Sequence, residues 1–408
     1  MKVIVIGGGA SGMAAALCAG RDGHDVTVLE QNDRVGRKLL ATGNGRCNLS
    51  NADLSLSHYH GLKDSDKSRA FAGSVFERFD GAEVLSFFHD LGLNTKNRDG
   101  YIYPASEQAS AVLDVLRFAM ENEGIRVCCN HAVTGLTKTA DGFSVHTSEG
   151  DRKADAVILS CGSKAWIKKG DKDGYDLAAS MGHSIIGPVP ALTALVSDEK
   201  IFKPLAGIRI RGKITLYTKK QDTVSASDTG ELQFTSYGIS GIPTMQVSHV
   251  AAKAFLAKES VYAVLDLLPD VSREECLQEL EERCGKTGYK SADQFLIGWF
   301  HKNLGLHFMK QAGIPLQKQA SDLDREELKR LIEAIKCMRI PVHQTRSFAD
   351  AQVCAGGVPV DEVLPTLESG KCRNLFLTGE ILDVHGDCGG YNLQWAFSSG
   401  LLAGMLGK

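Results

Sequence analysis

Lys2-Val3-Ile4-Val5-Ile6-Gly7-Gly8-Gly9-Ala10-Ser11-Gly12 is a short apolar run that breaks into glycine, and the helical stretch Met13 to Arg21 follows it. The apolar run suits a strand buried on both faces of a parallel sheet. Gly7, Gly9 and Gly12 keep the spacing G-x-G-x-x-G. Between a strand and a helix, the three do different things. Gly7 permits the tight turn, Gly9 lets backbone approach a pyrophosphate, and Gly12 lets the helix lie close to the strand. The N–H groups where the helix starts, at Ala10 and Ser11, then face the phosphates. A second strand, Asp25 to Leu29, ends in Glu30, followed by Gln31. An acid at that point accepts hydrogen bonds from an adenosine ribose and repels a 2′-phosphate, so NADP is not expected here. FAD and NAD both satisfy these residues.

The chain has 408 residues, 43% hydrophobic and 23% charged, with a formal net charge of -3. That is the composition of a globular protein large enough for two or three domains. The charge gives no general pull towards nucleic acid or an anionic membrane, and no stable nucleic-acid partner is expected. No run approaches the length of a membrane span, the first apolar run is too short for a signal-peptide core and is claimed by the nucleotide strand, and a cytoplasmic location is expected. The eleven cysteines form no C-x-x-C pair, so reduced structural thiols are the expectation. Cys47 and Cys388 stand apart because they lie in glycine-rich polar loops.

After Gln31 the chain reads Gly36-Arg37-Lys38-Leu39-Leu40-Ala41-Thr42-Gly43-Asn44-Gly45-Arg46-Cys47-Asn48. The basic pair Arg37 and Lys38 suits a pyrophosphate, and Thr42, Gly43 and Asn44 form a loop whose backbone can approach a planar ligand. Further on, Ala156-Val157-Ile158-Leu159 is a buried strand ending in Ser160, Cys161 and Gly162, small residues that leave room for a cofactor at the carboxyl edge of a sheet. A last buried strand, Asn374 to Thr378, delivers Gly379 and Glu380, whose carboxylate suits ribityl or bridging hydroxyls. After a glycine loop, Gly390, Tyr391 and Asn392 begin the final helix, whose N-terminus would stabilise negative charge on a bound cofactor.

The Gly36 to Asn48 stretch, the tail Gly379-Glu380-Ile381-Leu382-Asp383 with Gly386-Asp387-Cys388-Gly389-Gly390-Tyr391-Asn392-Leu393-Gln394-Trp395-Ala396, and Ala355-Gly356-Gly357-Val358 between them resemble the BaiN-like (YhiN-like) family of bacterial flavoproteins. The resemblance runs the length of the chain. One departure is Thr366-Leu367-Glu368-Ser369-Gly370-Lys371, where the family pattern reads Thr-Met-Glu-Ser-Lys. The resemblance implies an α/β fold: an FAD-binding Rossmann-like domain of the two-dinucleotide-fold flavoproteins, carrying an inserted β-barrel and a small helical subdomain. It also implies that the backbone of Val133 lies beside the adenine.

The expected division is 1–189 for the first part of the FAD domain, 190–270 for the barrel, 271–340 for the helical insert and 341–408 for the return. Phe71 to Leu91 reads as one helix, Arg126 to Val133 and Phe143 to Thr147 as strands of an antiparallel excursion, and Ser291 to Ala312 as a helix of the insert. Ser272-Arg273-Glu274-Glu275 has the form of a capping box. Lys200 to Lys220 holds seven basic residues and no acid, which reads first as a solvated sheet face, with a phosphate-bearing substrate such as an acyl-coenzyme A thioester as the sharper alternative. His58 and His60 could ligate a metal, but no cysteine or acid at ligand spacing joins them and none is expected.

The expected function is an FAD-dependent oxidoreductase acting on a small molecule. The resemblance suggests chemistry on a carbon–carbon double bond conjugated to a carbonyl, with amine oxidation and a flavin-holding RNA-modification or redox-sensing role as alternatives. If NADH or NADPH is the donor it binds transiently, because the single glycine fingerprint is taken by FAD; oxygen or a quinone is the alternative electron partner. Arg46, Tyr391, His385 and Cys388 are candidates to polarise or protonate, with no catalytic residue assigned among them.

Overall fold

The computed structural model describes residues 1–166, 173–218 and 221–408. They divide into two compact units, Met1–Pro190 with Ala351–Lys408, and Ala191–Asp350.

The first unit is built on a five-stranded parallel sheet. Its strands are β1 (Lys2–Ile6), β2 (Asp25–Leu29), β3 (Arg126–Cys128), β4 (Ala156–Leu159) and β5 (Leu375–Leu377), in the order β5-β4-β1-β2-β3. Val3 to Ile6, Val26 to Leu29 and all of β4 and β5 are buried, because helices cover both faces of a parallel sheet. The helix α1 (Ala10–Arg21) springs from β1, and the last helix, α2 (Tyr391–Gly404), packs along it. Gly400 and Gly404 make that approach: a Cβ on Gly404 would stand 2.5 Å from the Ala15 carbonyl oxygen, and one on Gly400 would collide with that of Ser11.

Arg126–Cys128 pairs in parallel with β2, so it is the edge of the main sheet and not part of an antiparallel excursion. An edge strand solvated on one side alternates as a hairpin strand does, and alternation alone cannot separate the two. The antiparallel hairpin is Val133–Thr139 with Gly142–Thr147, extended by Arg152–Ala154. The Phe71 to Leu91 stretch is two helices, Ser65–Phe76 and Gly81–Asp90, because Asp80 accepts from the N–H groups of Ala82 and Glu83 and caps a new start.

In the second unit an antiparallel sheet runs in the order Met338–Val342, Val261–Asp266, Arg209–Thr218, Gln221–Thr235, Gly238–Ser240, Leu195–Val196, Gln344–Thr345. The helix Arg273–Thr287 starts at the Ser272–Glu275 capping box, and Arg325–Lys336 starts at a second one, Asp324–Glu327. Ser291 to Ala312 is interrupted, forming Ala292–Phe295 and Lys302–Gln311. Phe234, Leu216 and Val261 of the sheet share one core with Leu280, Leu331 and Ile335 of these helices, so the pieces expected as barrel and helical insert are a single packed unit. Residues 341–350, expected with the returning chain, lie in this unit because Met338–Val342 and Gln344–Thr345 pair into its sheet. In the basic run, Arg209 pairs with Glu231 at 3.0 Å and Arg211 with Asp270 at 2.7 Å. Acids from neighbouring segments neutralise these two; Lys219 and Lys220 lie outside the described residues.

Two glycine substitutions separate close packing from mere flexibility. Gly400→Val forces α2 off α1 and is expected to destabilise by about 1–3 kcal/mol. Gly285, in the helix Arg273–Thr287 with open space around it, is expected to gain about 0.5–1 kcal/mol on replacement by Ala. Thermal unfolding midpoints of the two variants should therefore move in opposite directions.

Candidate functional site

The turn between β1 and α1 is made by close backbone approach. Gly7 has φ +105, and a Cβ there would stand 2.5 Å from the Ser160 carbonyl oxygen; one on Gly12 would collide with the carbonyl of Gly7. Around Gly9, by contrast, a Cβ would meet nothing within 4 Å among the described residues. Gly9 is the N-cap of α1 and supplies no side-chain cap, so the amides of Ala10 and Ser11 head a helix that opens onto space. An anion is the group such an end attracts.

Glu30, at the end of β2, is buried. Its Oε2 accepts from the Gly8 N–H at 2.8 Å, and its Oε1 accepts from the Asn32 backbone and side-chain amides at 2.9 and 2.6 Å. The carboxylate thus ties the glycine turn to the loop after β2, with lone-pair capacity left on Oε2. Gln31 follows it, half-buried, and the Arg37 guanidinium donates to the Asn32 side-chain oxygen. Val133 is buried at the start of its hairpin; two residues before it the N–H of His131 donates to the Glu30 carbonyl at 2.9 Å, which holds that hairpin at the end of β2.

Lys38 and Glu380, far apart in sequence, form an ion pair at 3.3 Å. Ser163 donates to the same Glu380 oxygen at 3.3 Å, and a Cβ on Gly162 (φ +71) would lie 3.7 Å from the Lys38 ammonium and 3.8 Å from the Glu380 carboxylate. Gly379 (φ +75) fits against the Ser11 side chain, while Trp395 Nε1 donates to its carbonyl at 3.1 Å and its own N–H donates to Ser399 at 3.0 Å. Both ends of the chain therefore position the Gly379-Glu380 pair.

Other expected contacts turn inward. Ser160 Oγ lies 2.9 and 2.8 Å from the carbonyl oxygens of Ile6 and Gly7 and donates between them, so its hydroxyl supports the turn and is not presented to a ligand. Burial pushes the Cys47 thiol, which is buried, and the Cys161 thiol, which is partly buried, up to about 12, so both hold their protons in the neutral range. Asn392 is spent on the glycine loop: its Oδ1 accepts from the Gly386 N–H and its Nδ2 donates to the carbonyls of Gly386 and Asp387. Thr42 donates to the Leu39 carbonyl at 2.6 Å; Gly43 and Asn44 (φ 56 and 55) carry the loop over Tyr103, with Asn44 in a left-handed conformation that asparagine tolerates.

Gly390 begins α2 in a left-handed conformation, φ +98, and again no side chain caps the helix. Beside it Asn48 Oδ1 is buried and accepts no hydrogen bond among the described residues. The Tyr175 hydroxyl is also buried without a hydrogen-bond partner among them, and its phenol is pushed well above its ordinary value by burial, with Cys354 and Glu380 adding to it. Nothing in the sequence singles out Tyr175, whose signal is the missing partner alone. Because Ser11 meets Gly400 and Ala15 meets Gly404, α1 and α2 run the same way, and at the helical rise the start of α2 lies about 12 Å beyond the start of α1. Two uncapped, parallel helix ends at that spacing, with polar atoms of Asn48 and Tyr175 unsatisfied among the described residues, fit an extended dinucleotide such as FAD.

Replacing Glu30 by Ala frees the Gly8 and Asn32 donors it holds. The expected result is an FAD dissociation constant raised about tenfold, roughly 1.4 kcal/mol, read by flavin-fluorescence titration.

Residues 1–406 match the family described as HI0933-like protein Rossmann domain. A 3-dehydro-bile acid delta(4,6)-reductase of Clostridium scindens is 42% identical over 407 residues, covering 99% of this chain and 98% of its own. Ribosomal RNA dihydrouridine synthases of Haemophilus influenzae and Escherichia coli are 26% and 25% identical, each over 97% of this chain and 96% and 95% of their own. With the glycine turn, the Rossmann sheet and a family match spanning both ends of the chain, this protein belongs to the HI0933-like family and is an FAD-dependent oxidoreductase.

Proposed function

We propose that this enzyme reduces a carbon–carbon double bond conjugated to a carbonyl in a small-molecule substrate, with a nicotinamide as transient electron donor. The observation that carries the reading is the 42% identity to a bile acid reductase over essentially the whole of both chains. The more distant relatives support the same chemistry, since making dihydrouridine also saturates a double bond conjugated to a carbonyl.

Bound and reduced, FAD would supply the hydride. In this reading the amides of Ala10 and Ser11 hold the pyrophosphate, with Arg37 nearby, and Glu30 with Gln31 and the Val133 backbone surround the adenosine. Gly162, Lys38, Gly379 and Glu380 line the middle of the cofactor, and Thr42, Gly43, Asn44 and Gly390 its ring end. The uncapped start of α2 stabilises negative charge that develops there, an effect of about 1 kcal/mol at a helix end. Hydride arriving at the substrate's β-carbon leaves the α-carbon in need of a proton. Tyr391 keeps its proton across the neutral range, because burial, with Asp53, Asp387 and Tyr101, pushes its phenol up to about 12. A phenol so held is a donor and not a base.

An RNA substrate is the second reading, favoured by the two dihydrouridine synthases and weakened by their lower identity. Anaerobic titration with NADH and NADPH, followed by addition of an enone steroid, an amine or a uridine-containing RNA, tests the proposal. Bleaching of the flavin band by a nicotinamide and its recovery with the enone is the expected outcome. Recovery only with RNA would transfer the assignment to RNA modification, and bleaching by an amine alone would make the enzyme an oxidase.

A further inference from the structure

The two histidines that have no acid at ligand spacing in the sequence acquire one in the fold. Strand Tyr59–His60 pairs antiparallel with His385–Gly386, and the Asp387 N–H donates to the His58 carbonyl at 2.9 Å. This register places the Asp387 carboxylate between His58 Nδ1 and His60 Nε2, each at 2.9 Å. The Asp53 carboxylate stands 3.3 Å from the other ring nitrogen of His58. The His58 ring in turn stacks on Tyr391, centroids 4.4 Å apart and planes 19° from parallel.

A neutral imidazole has one donor and one acceptor nitrogen, and an acceptor facing a carboxylate is repelled. With carboxylates at both nitrogens, His58 is satisfied only as the imidazolium. Burial opposes the charge, but the bonds to Asp387 and Asp53 outweigh it and raise the His58 pKa. Burial likewise opposes ionisation of Asp387, and the two histidines nonetheless lower its pKa. The other groups around the array are His385, 5.5 Å from His60, the phenols of Tyr59 and Tyr101 near Tyr391, and Arg69, which donates to the Tyr59 carbonyl and pairs with Asp66.

We propose that His58, clamped between Asp53 and Asp387, is a positioning residue that seats Tyr391 and the glycine loop 386–390 against the flavin, so that cofactor binding and potential depend on the charge of this one histidine. The proposal rests on the reading that places the flavin ring at the start of α2. The Asp387 carboxylate fixes the loop from one side, and Asn392 and Asn51, which donates to the Gly389 carbonyl at 2.9 Å, fix it from the other. On that reading the imidazolium would also stabilise an anionic reduced ring.

The sign follows from the raised pKa. The contribution is complete below the ordinary histidine value, about 6.5, and is lost as pH rises through the raised folded value. FAD affinity of wild-type protein, measured from about pH 6 to 9, should fall through one histidine-dependent step, and the flavin midpoint potential should show the same step superimposed on the steady fall that the flavin's own proton uptake gives. His58→Gln should weaken FAD binding about tenfold at low pH and abolish the step in both quantities, with its circular dichroism unchanged. Asp53→Asn, at an exposed position, should keep the low-pH affinity and move the step to lower pH, a shift that simple loss of packing would not produce. A His58→Gln protein that folds and keeps the wild-type affinity, potential and pH step overturns the proposal, as does an unmoved step in Asp53→Asn. Failure of the wild-type protein itself to bind FAD would overturn the cofactor assignment first, and this inference with it.

Discussion

The approach of Gly400 to Ser11, repeated one turn on between Gly404 and Ala15, makes one site from the two ends of the chain. Only the absence of side chains at these positions lets α2 lie against the backbone of α1. That contact sets the helices parallel and leaves the start of α2 projecting past the start of α1. It also brings Trp395 and Ser399 onto Gly379, so the last strand of the sheet is held by the last helix at the point where the first helix begins. Remove the contact, and the two positive helix ends lose their common direction and spacing.

Around this frame, charge is arranged in pairs drawn from distant segments. Lys38 meets Glu380, Glu30 meets Gly8 and Asn32, and Asp387 meets two histidines more than three hundred residues away in sequence. Glu30 is buried and Glu380 and Asp387 are nearly so, where an uncompensated charge costs several kcal/mol; Lys38 and His58 are more exposed. Pairing therefore does two things at once: it satisfies the groups and fixes the loops that carry them. The thiols differ in kind, for Cys47 is buried, Cys161 is partly buried, and both hold their protons.

Parts of the site are legible from residues alone. The glycine turn, β1, β2, β4 and the start of the final helix follow from short-range rules, and the strand bounds agree with them residue for residue. Regions where those rules fail share a cause. Arg126–Cys128 reads as a hairpin strand because a parallel edge strand presents the same alternation. Phe71 to Leu91 reads as one helix because apolar spacing continues across Asp80, whose capping bond decides the break. Ser160 and Asn392 stand where expected, but the Ser160 hydroxyl is directed at the carbonyls of the distant glycine turn after β1, and the Asn392 amide at its own glycine loop.

The sequence by itself determined that the chain begins and ends in a nucleotide-binding sheet, because a glycine's freedom, a buried strand's composition and a terminal acid are properties of neighbouring residues. It determined the family for the same reason, through two long local motifs. Only the tertiary structure decided which charges meet. His58 and His60 are two residues apart and look alike in the chain, yet the fold sets His58 between two carboxylates and against Tyr391, and turns His60 towards His385. That distinction depends on the register of a two-residue ladder between segments at opposite ends of the chain, which no local pattern encodes.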